Sequence, residues 1–159
     1  MKTVTKKSVI AAVILFFAGI LWYPVVGEAW LHELGHVFFA FISGGSGSVG
    51  NATTAYTNSN FPGFVSIGGA LFTLLFAGAV FNIGMKYARP WIGAFWMGKA
   101  FEEIVTFIGS SDQRNSGVST GVWLLISLFI VGFTVLLAIG LGAKHRWERV
   151  AKKPRKVYN

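Results

Sequence analysis

The stretch "EAWLHELGHVFFAFI", Glu28 to Ile42, decides how this chain folds. His32, Glu33 and His36 interrupt a run that is otherwise tryptophan, leucine, valine, phenylalanine and isoleucine. In water such a helix would be ordinary. At membrane depth each ionisable side chain costs about 2.5 to 3.5 kcal/mol on insertion scales, so it is kept there for function. The rest of the sequence chooses between the two settings.

Hydrophobic residues make up 53% of the 159 and charged residues 13%, against roughly 25% charged in a soluble globular chain. Mean hydropathy is +0.59. The apolar residues fall in blocks of the about 17 to 25 residues that a helix needs to cross a bilayer. The length suits a single domain, a membrane core over 9–143 with a basic N-terminal tail (1–8) and a basic C-terminal tail (144–159). The net charge of +8 does not indicate nucleic acid. Lys2, Lys6 and Lys7 open the chain, and Lys144, Arg146, Arg149, Lys152, Lys153, Arg155 and Lys156 crowd its end. That is the distribution of anchors on an anionic cytoplasmic leaflet, and no soluble unit is left over to present a basic face. The absence of cysteine excludes disulfides and thiolate metal sites.

Five helical segments are expected. The first, from Val9, is closed at Pro24 and Gly27 and reads as a retained signal anchor. The second carries the opening motif. A charge-free polar stretch follows, in which "SVGNATTAY" suits a short strand and "TNSNFPG" a turn, so a polar β-hairpin near the membrane is expected. The third segment, Phe64 to Met85, has small residues at Gly68, Gly69, Ala70, Ala77, Gly78 and Gly84 that allow close helix approach. Trp91 to Ile108 is the fourth and carries Lys99, Glu102 and Glu103, and Gly121 to Ala143 is the fifth. The fold class is therefore an all-α multipass membrane protein with four to five crossings. Five full crossings would put the basic tails on opposite sides, against the positive-inside tendency, whereas four place both tails in the cytoplasm, the setting expected in a cell membrane.

Within the motif, His32 and His36 are four residues apart, so on a helix both rings lie on one face and can converge on one ion. Zinc is the ion such a pair suits. Glu33 sits where its carboxylate reaches a water on that ion without being a ligand. In this HExxH arrangement the metal acidifies the water, the glutamate takes its proton and the hydroxide attacks a carbonyl. The plainer reading, two core histidines bonded to carbonyls, is disfavoured because only three histidines exist and two fall at ligand spacing around a glutamate.

Zinc needs a third protein ligand and one open position. His145 lies in the basic tail, where interfacial anchoring accounts for it, and Glu28, one turn before His32, suits an outer supporting role. Asp112, in the short polar loop "GSSDQRNSG", is favoured because such a loop can turn a short carboxylate towards a neighbour. Glu102 and Glu103 are the alternatives, although Lys99 is placed to pair with one of them.

The membrane "HELGH", the Gly-rich polar stretch after it, the small-residue helix "SIGGALFTLLFAGAVFNIG" and the later loop with "SSD" resemble the site-2 protease family of intramembrane zinc metalloproteases. The resemblance is to its compact members and covers roughly Trp22 to Ile130. It implies one zinc ion held by His32, His36 and Asp112, with Glu33 as the base. It also implies hydrolysis of peptide bonds in or near transmembrane segments of membrane-protein substrates. In the family the aspartate lies in an Asn-Pro-Asp-Gly type motif, whereas this chain has "GSSDQRN". The implied partners are such a substrate and the bilayer, with no nucleic acid, and the sequence leaves open a homo-oligomer. Two functions of other classes compete: a membrane metal-binding or transport protein, which would not need Glu33, and a catalytically inactive membrane scaffold.

Overall fold

The computed structural model describes residues 6–26, 29–87 and 89–151, with side chains throughout except at 24, 90 and 141–151. The chain is mostly helical with one small sheet: α1 (Lys6–Val26), α2 (Trp30–Ile42), β1 (Ser46–Asn51), β2 (Thr54–Asn58), α3 (Pro62–Lys86), α4 (Pro90–Phe107), α5 (Ser111–Ser116) and α6 (Thr120–Ala151). Each of the five apolar segments is a helix. A sixth, α5, forms inside the connection that composition reads as a polar loop. Where the sequence places a stop at Pro24, α1 runs on to Val26, so only its final turn feels the missing N–H. The prolines at 62 and 90 open α3 and α4 at their first turns, where the lost N–H has no intrahelical partner anyway.

Among the described residues, three helices are long and apolar enough to cross a membrane: Lys6–Tyr23 of α1, Pro62–Lys86, and Thr120–Gly140 of α6. The other two expected segments differ from these for physical reasons. The 13 residues of α2 span about 20 Å, short of a hydrocarbon core of about 30 Å. The 18 residues of α4 have the length, but they carry Lys99, Glu102 and Glu103, all buried.

The middle of the structure is α3, which meets α2, α4, α5 and α6. Its small residues make those meetings possible: Ala70 and Ala77 are fully buried, Gly68 lies against Phe39, and Gly78 lies against Thr134. The apolar core is Ile67, Leu74, Ala100, Phe107 and Trp123 with those alanines. Trp123 stacks at 4.3 Å on Phe107 and donates its indole N–H to the Ile104 carbonyl at 3.0 Å. On the far side, α1 packs on α4 through Gly19 and Gly98, where a Cβ on either would overlap a backbone carbonyl of the opposite helix. Half of the α3 span is buried but only 6% of the α1 span, so apolar surface is turned outward. Leu125, Leu128, Phe129 and Leu136 of α6 are each exposed by about two thirds or more, a surface a soluble monomer would not leave in water.

The expected hairpin is present, with its turn earlier than the residues suggest. "SVGNATTAY" is not one strand: β1 pairs antiparallel with β2 from Ser46↔Asn58 to Asn51↔Thr54, with an irregularity at Gly50. The turn falls at Ala52 and Thr53, where Asn51 Oδ1 accepts from the Thr53 backbone N–H at 2.9 Å, an Asx turn. The hairpin folds back along α2, and the Ala29 N–H donates to the Ala52 carbonyl at 2.7 Å.

Candidate metal centre

A Schellman cap fixes the end of α2: Gly44, at φ 77°, lets its N–H reach the Phe41 carbonyl while the Gly45 N–H reaches that of Ala40. The opposite face of α2 lies on α3, where Gly69 leaves room for an imidazole. A Cβ at that position would stand 2.6 Å from His32 Nε2. His32 and His36, one turn apart, present their rings edge to face with centroids 4.6 Å apart.

Asp112 reaches them from α5. Ser110 caps that helix, its Oγ accepting from the Gln113 N–H at 3.1 Å, and the Gln113 side chain accepts in return from the Gly109 N–H. Gly117, at φ 70°, ends the helix after six residues. Serine followed three residues later by glutamine is the spacing of a capping box, and with the closing glycine it is the sequence signal for α5. The helix sits on the start of α3, where Gly63 faces the carbonyls of Asn115 and Ser116.

His32 Nε2 stands 3.0 Å from Asp112 Oδ2, His36 Nε2 stands 3.3 Å from the same oxygen, and the two nitrogens are 2.9 Å apart. The three side chains form a group that could hold a metal ion. The far nitrogens assign the tautomers. His36 Nδ1–H donates to the Val65 carbonyl at 2.8 Å and His32 Nδ1–H to Glu103 Oε1 at 2.8 Å. In the neutral form that a metal ligand takes, each ring keeps its proton there and turns Nε2 to the centre, so two imidazole nitrogens and a carboxylate oxygen converge on one point that suits a cation; without an ion, imidazole protons bridge the same short contacts to Asp112. A tetrahedral ion with bonds of about 2.0–2.1 Å holds its ligand atoms about 3.3 Å apart. The observed triangle is that one, slightly contracted, so the donor set and its size fit zinc.

Of the sequence candidates, His32, His36 and Asp112 come together, and the alternatives for the third position are otherwise engaged. Glu102 forms a buried ion pair with Lys99, the pairing that their spacing suggests, and Lys99 also lies 5.8 Å above the Tyr23 ring. Glu103 occupies the outer nitrogen of His32. Glu28, and the side chain of His145, lie outside the described residues.

Burial alone would raise the Asp112 carboxyl, but the hydrogen bonds and positive charge of His32 and His36 outweigh it and hold it below the usual carboxylate range. It is thus anionic, as a ligand must be. Glu33 is buried beside the triangle, with the backbone of Ala55 in β2 next to its carboxylate. Two polar cavities meet there, and Glu33 and Asp112 line both. One, of about 260 Å³, extends towards Tyr23 and Glu102. The other, of about 450 Å³, is walled by Thr54, Ala55, Thr57 and Asn58 of β2. The Val65 carbonyl, the Ala55 backbone and the outer role of Glu103 were not legible in the sequence, because each depends on a contact between distant elements. Scanned against protein-family models, curated proteins and solved structures, the chain matches none of them.

Proposed function

We propose that this chain is an intramembrane zinc metalloprotease of the compact kind that the site-2 protease resemblance implies, cleaving peptide bonds in or near transmembrane segments of membrane proteins. One observation carries it. One imidazole nitrogen each from His32 and His36 and a carboxylate oxygen of Asp112 converge within 3.3 Å of one another, beside a buried Glu33 that is not part of the triangle. A metal store or transit site has no use for that extra carboxylate, whereas hydrolysis needs a proton acceptor there.

The outward apolar surface of α1 and α6 supports a multipass membrane setting. α4 joins α1, α3 and α6 as a fourth crossing, since its three charges face inward and never meet lipid. α2 and the hairpin are the re-entrant part, with irregular backbone lining a polar cavity as the bilayer requires.

Zinc bound by the triangle supplies a Lewis acid that acidifies water and polarises a peptide carbonyl. The chain's own residues do the rest. Glu33 accepts a proton from the attacking water and later donates it to the leaving amine, with the Ala55 backbone next to its carboxylate. A transmembrane substrate must unwind to expose its carbonyls. The sheet has only two strands, so the outer edge of β2, on the cavity that holds Glu33, offers pairing to an extended peptide.

Zinc content and cleavage of a single-span reporter, measured on the same purified preparations, test the proposal. Glu33→Gln should keep one zinc per chain and lose about 10²- to 10⁴-fold in cleavage rate. An unchanged rate would overturn the protease reading.

A further inference from the structure

The two motif histidines are held by unlike acceptors. His36 gives its Nδ1 proton to a neutral backbone carbonyl, that of Val65, while His32 gives its own to the carboxylate of Glu103, seventy-one residues away and buried. We propose that Glu103 is a positioning residue of the metal centre, locking the His32 ring so that Nε2 faces the ion and balancing the ion's charge. The assignment rests on the reading that His32, His36 and Asp112 bind a divalent metal.

Three features support it. First, geometry separates Glu103 from the ligand set: it touches Nδ1, on the side of the imidazole away from Asp112 and His36, so one ring bridges it to the ion. A carboxylate in this place fixes tautomer and orientation and makes the ring a better donor. Second, the charges close. A divalent ion with Asp112 and Glu103 sums to zero, and Lys99 with Glu102 sums to zero separately. Among the described residues, Glu33 is then the one buried acid left without a fixed countercharge, as suits a group that must take up a proton. Third, adjacent acids on a helix point about 100° apart, so Glu102 turns to Lys99 while Glu103 turns to His32. The neighbouring pair of acids in α4 therefore divides into an internal ion pair and a partner for the metal centre.

Cobalt(II) is the probe, because its visible absorption reports ligand geometry independently of any cleavage. Wild type, Glu103→Gln, Glu103→Ala and Asp112→Ala are titrated with cobalt and with zinc, with helix content followed in each. Glu103→Ala should still take one metal per chain, with affinity lower by about 10- to 100-fold and a shifted cobalt spectrum. Glu103→Gln, whose amide oxygen can still accept from Nδ1–H, should recover most of the affinity and the wild-type band positions. Asp112→Ala should show the different spectrum of a lost ligand. Unchanged affinity and spectrum in Glu103→Ala would overturn the assignment, as would a Glu103→Ala spectrum matching Asp112→Ala, which would make Glu103 a ligand. A glutamine variant no better than alanine would overturn it too. A wild type that takes up no metal would overturn the metal reading and this assignment together, whereas a metal-binding wild type without protease activity would leave the assignment standing.

Discussion

His32 Nε2 and His36 Nε2 stand 2.9 Å apart, and the outer nitrogen of each ring faces an acceptor of its own, the Glu103 carboxylate for His32 and the Val65 carbonyl for His36. Two imidazoles turned towards each other in this way are placed to share one cation, and Asp112 Oδ2 completes the arrangement.

Removing that oxygen should therefore unbalance the centre more than removing any other acid. In Asp112→Ala, zinc affinity should fall by at least about 100-fold, consistent with loss of one of three protein ligands, while Glu102→Ala should leave stoichiometry at one per chain. Zinc analysis after dialysis against a weak chelator measures both. Retention of full affinity in Asp112→Ala would remove α5 from the centre.

Acid should act on the two halves of the triangle differently. The Asp112 carboxyl lies below its ordinary range in the folded protein, so it stays anionic as pH falls from 7 to about 4. Histidine ligands must be neutral, so protons compete with metal at the imidazoles first, and zinc release should follow falling pH through the histidine range near about 6 or below. For the metal-free protein the sign is that of a depressed carboxyl. Asp112 contributes stability above its unfolded pKa of about 3.9 and loses it as pH drops further. The difference in melting temperature between wild type and Asp112→Asn should thus shrink as pH falls below about 4.

A methyl group at position 69 should be felt by the metal centre. The new Cβ would lie 2.6–2.8 Å from three atoms of the His32 ring. Overpacking of this kind costs about 1–3 kcal/mol, which amounts to roughly 5- to 150-fold in metal affinity if the ring gives way. Gly132→Ala, in α6 with nothing within 4 Å of the added carbon, is the control and should bind metal normally. Equal affinities in the two variants would mean that α3, not the ring, absorbs the strain.

The apolar segments were legible because helices long enough to matter in lipid leave unbroken runs, and Pro62 and Pro90 mark where two of them begin. His32, Glu33 and His36 were legible because helical spacing alone puts both rings on one face. Asp112 could be favoured from its short polar setting, but the choice between it and Glu103 depends on how far α4 and α5 each stand from α2, which is tertiary. The pairing of Lys99 with Glu102 was visible as a local i,i+3 spacing, whereas the bond from His32 to Glu103 spans seventy-one residues and left no local trace. The small residues of the third segment announced close packing without saying against what: Gly68 serves Phe39, Gly69 serves His32 and Gly78 serves Thr134. The hairpin turn was misplaced because "TNSNFPG" carries the stronger turn composition, yet the Asx turn at Asn51 closes the loop first.

The helix that delivers Asp112 is six residues long and contributes no buried residue. Two of the proposed ligands are thus built into a packed helix, and the third is mounted on a surface turn and a half. If the site holds an ion as proposed, its exchange would require only that this turn lift away, with the four long helices undisturbed. Loading and loss of metal would then depend on buffer composition rather than on refolding, and a preparation stripped of its ion should be recoverable by adding it back.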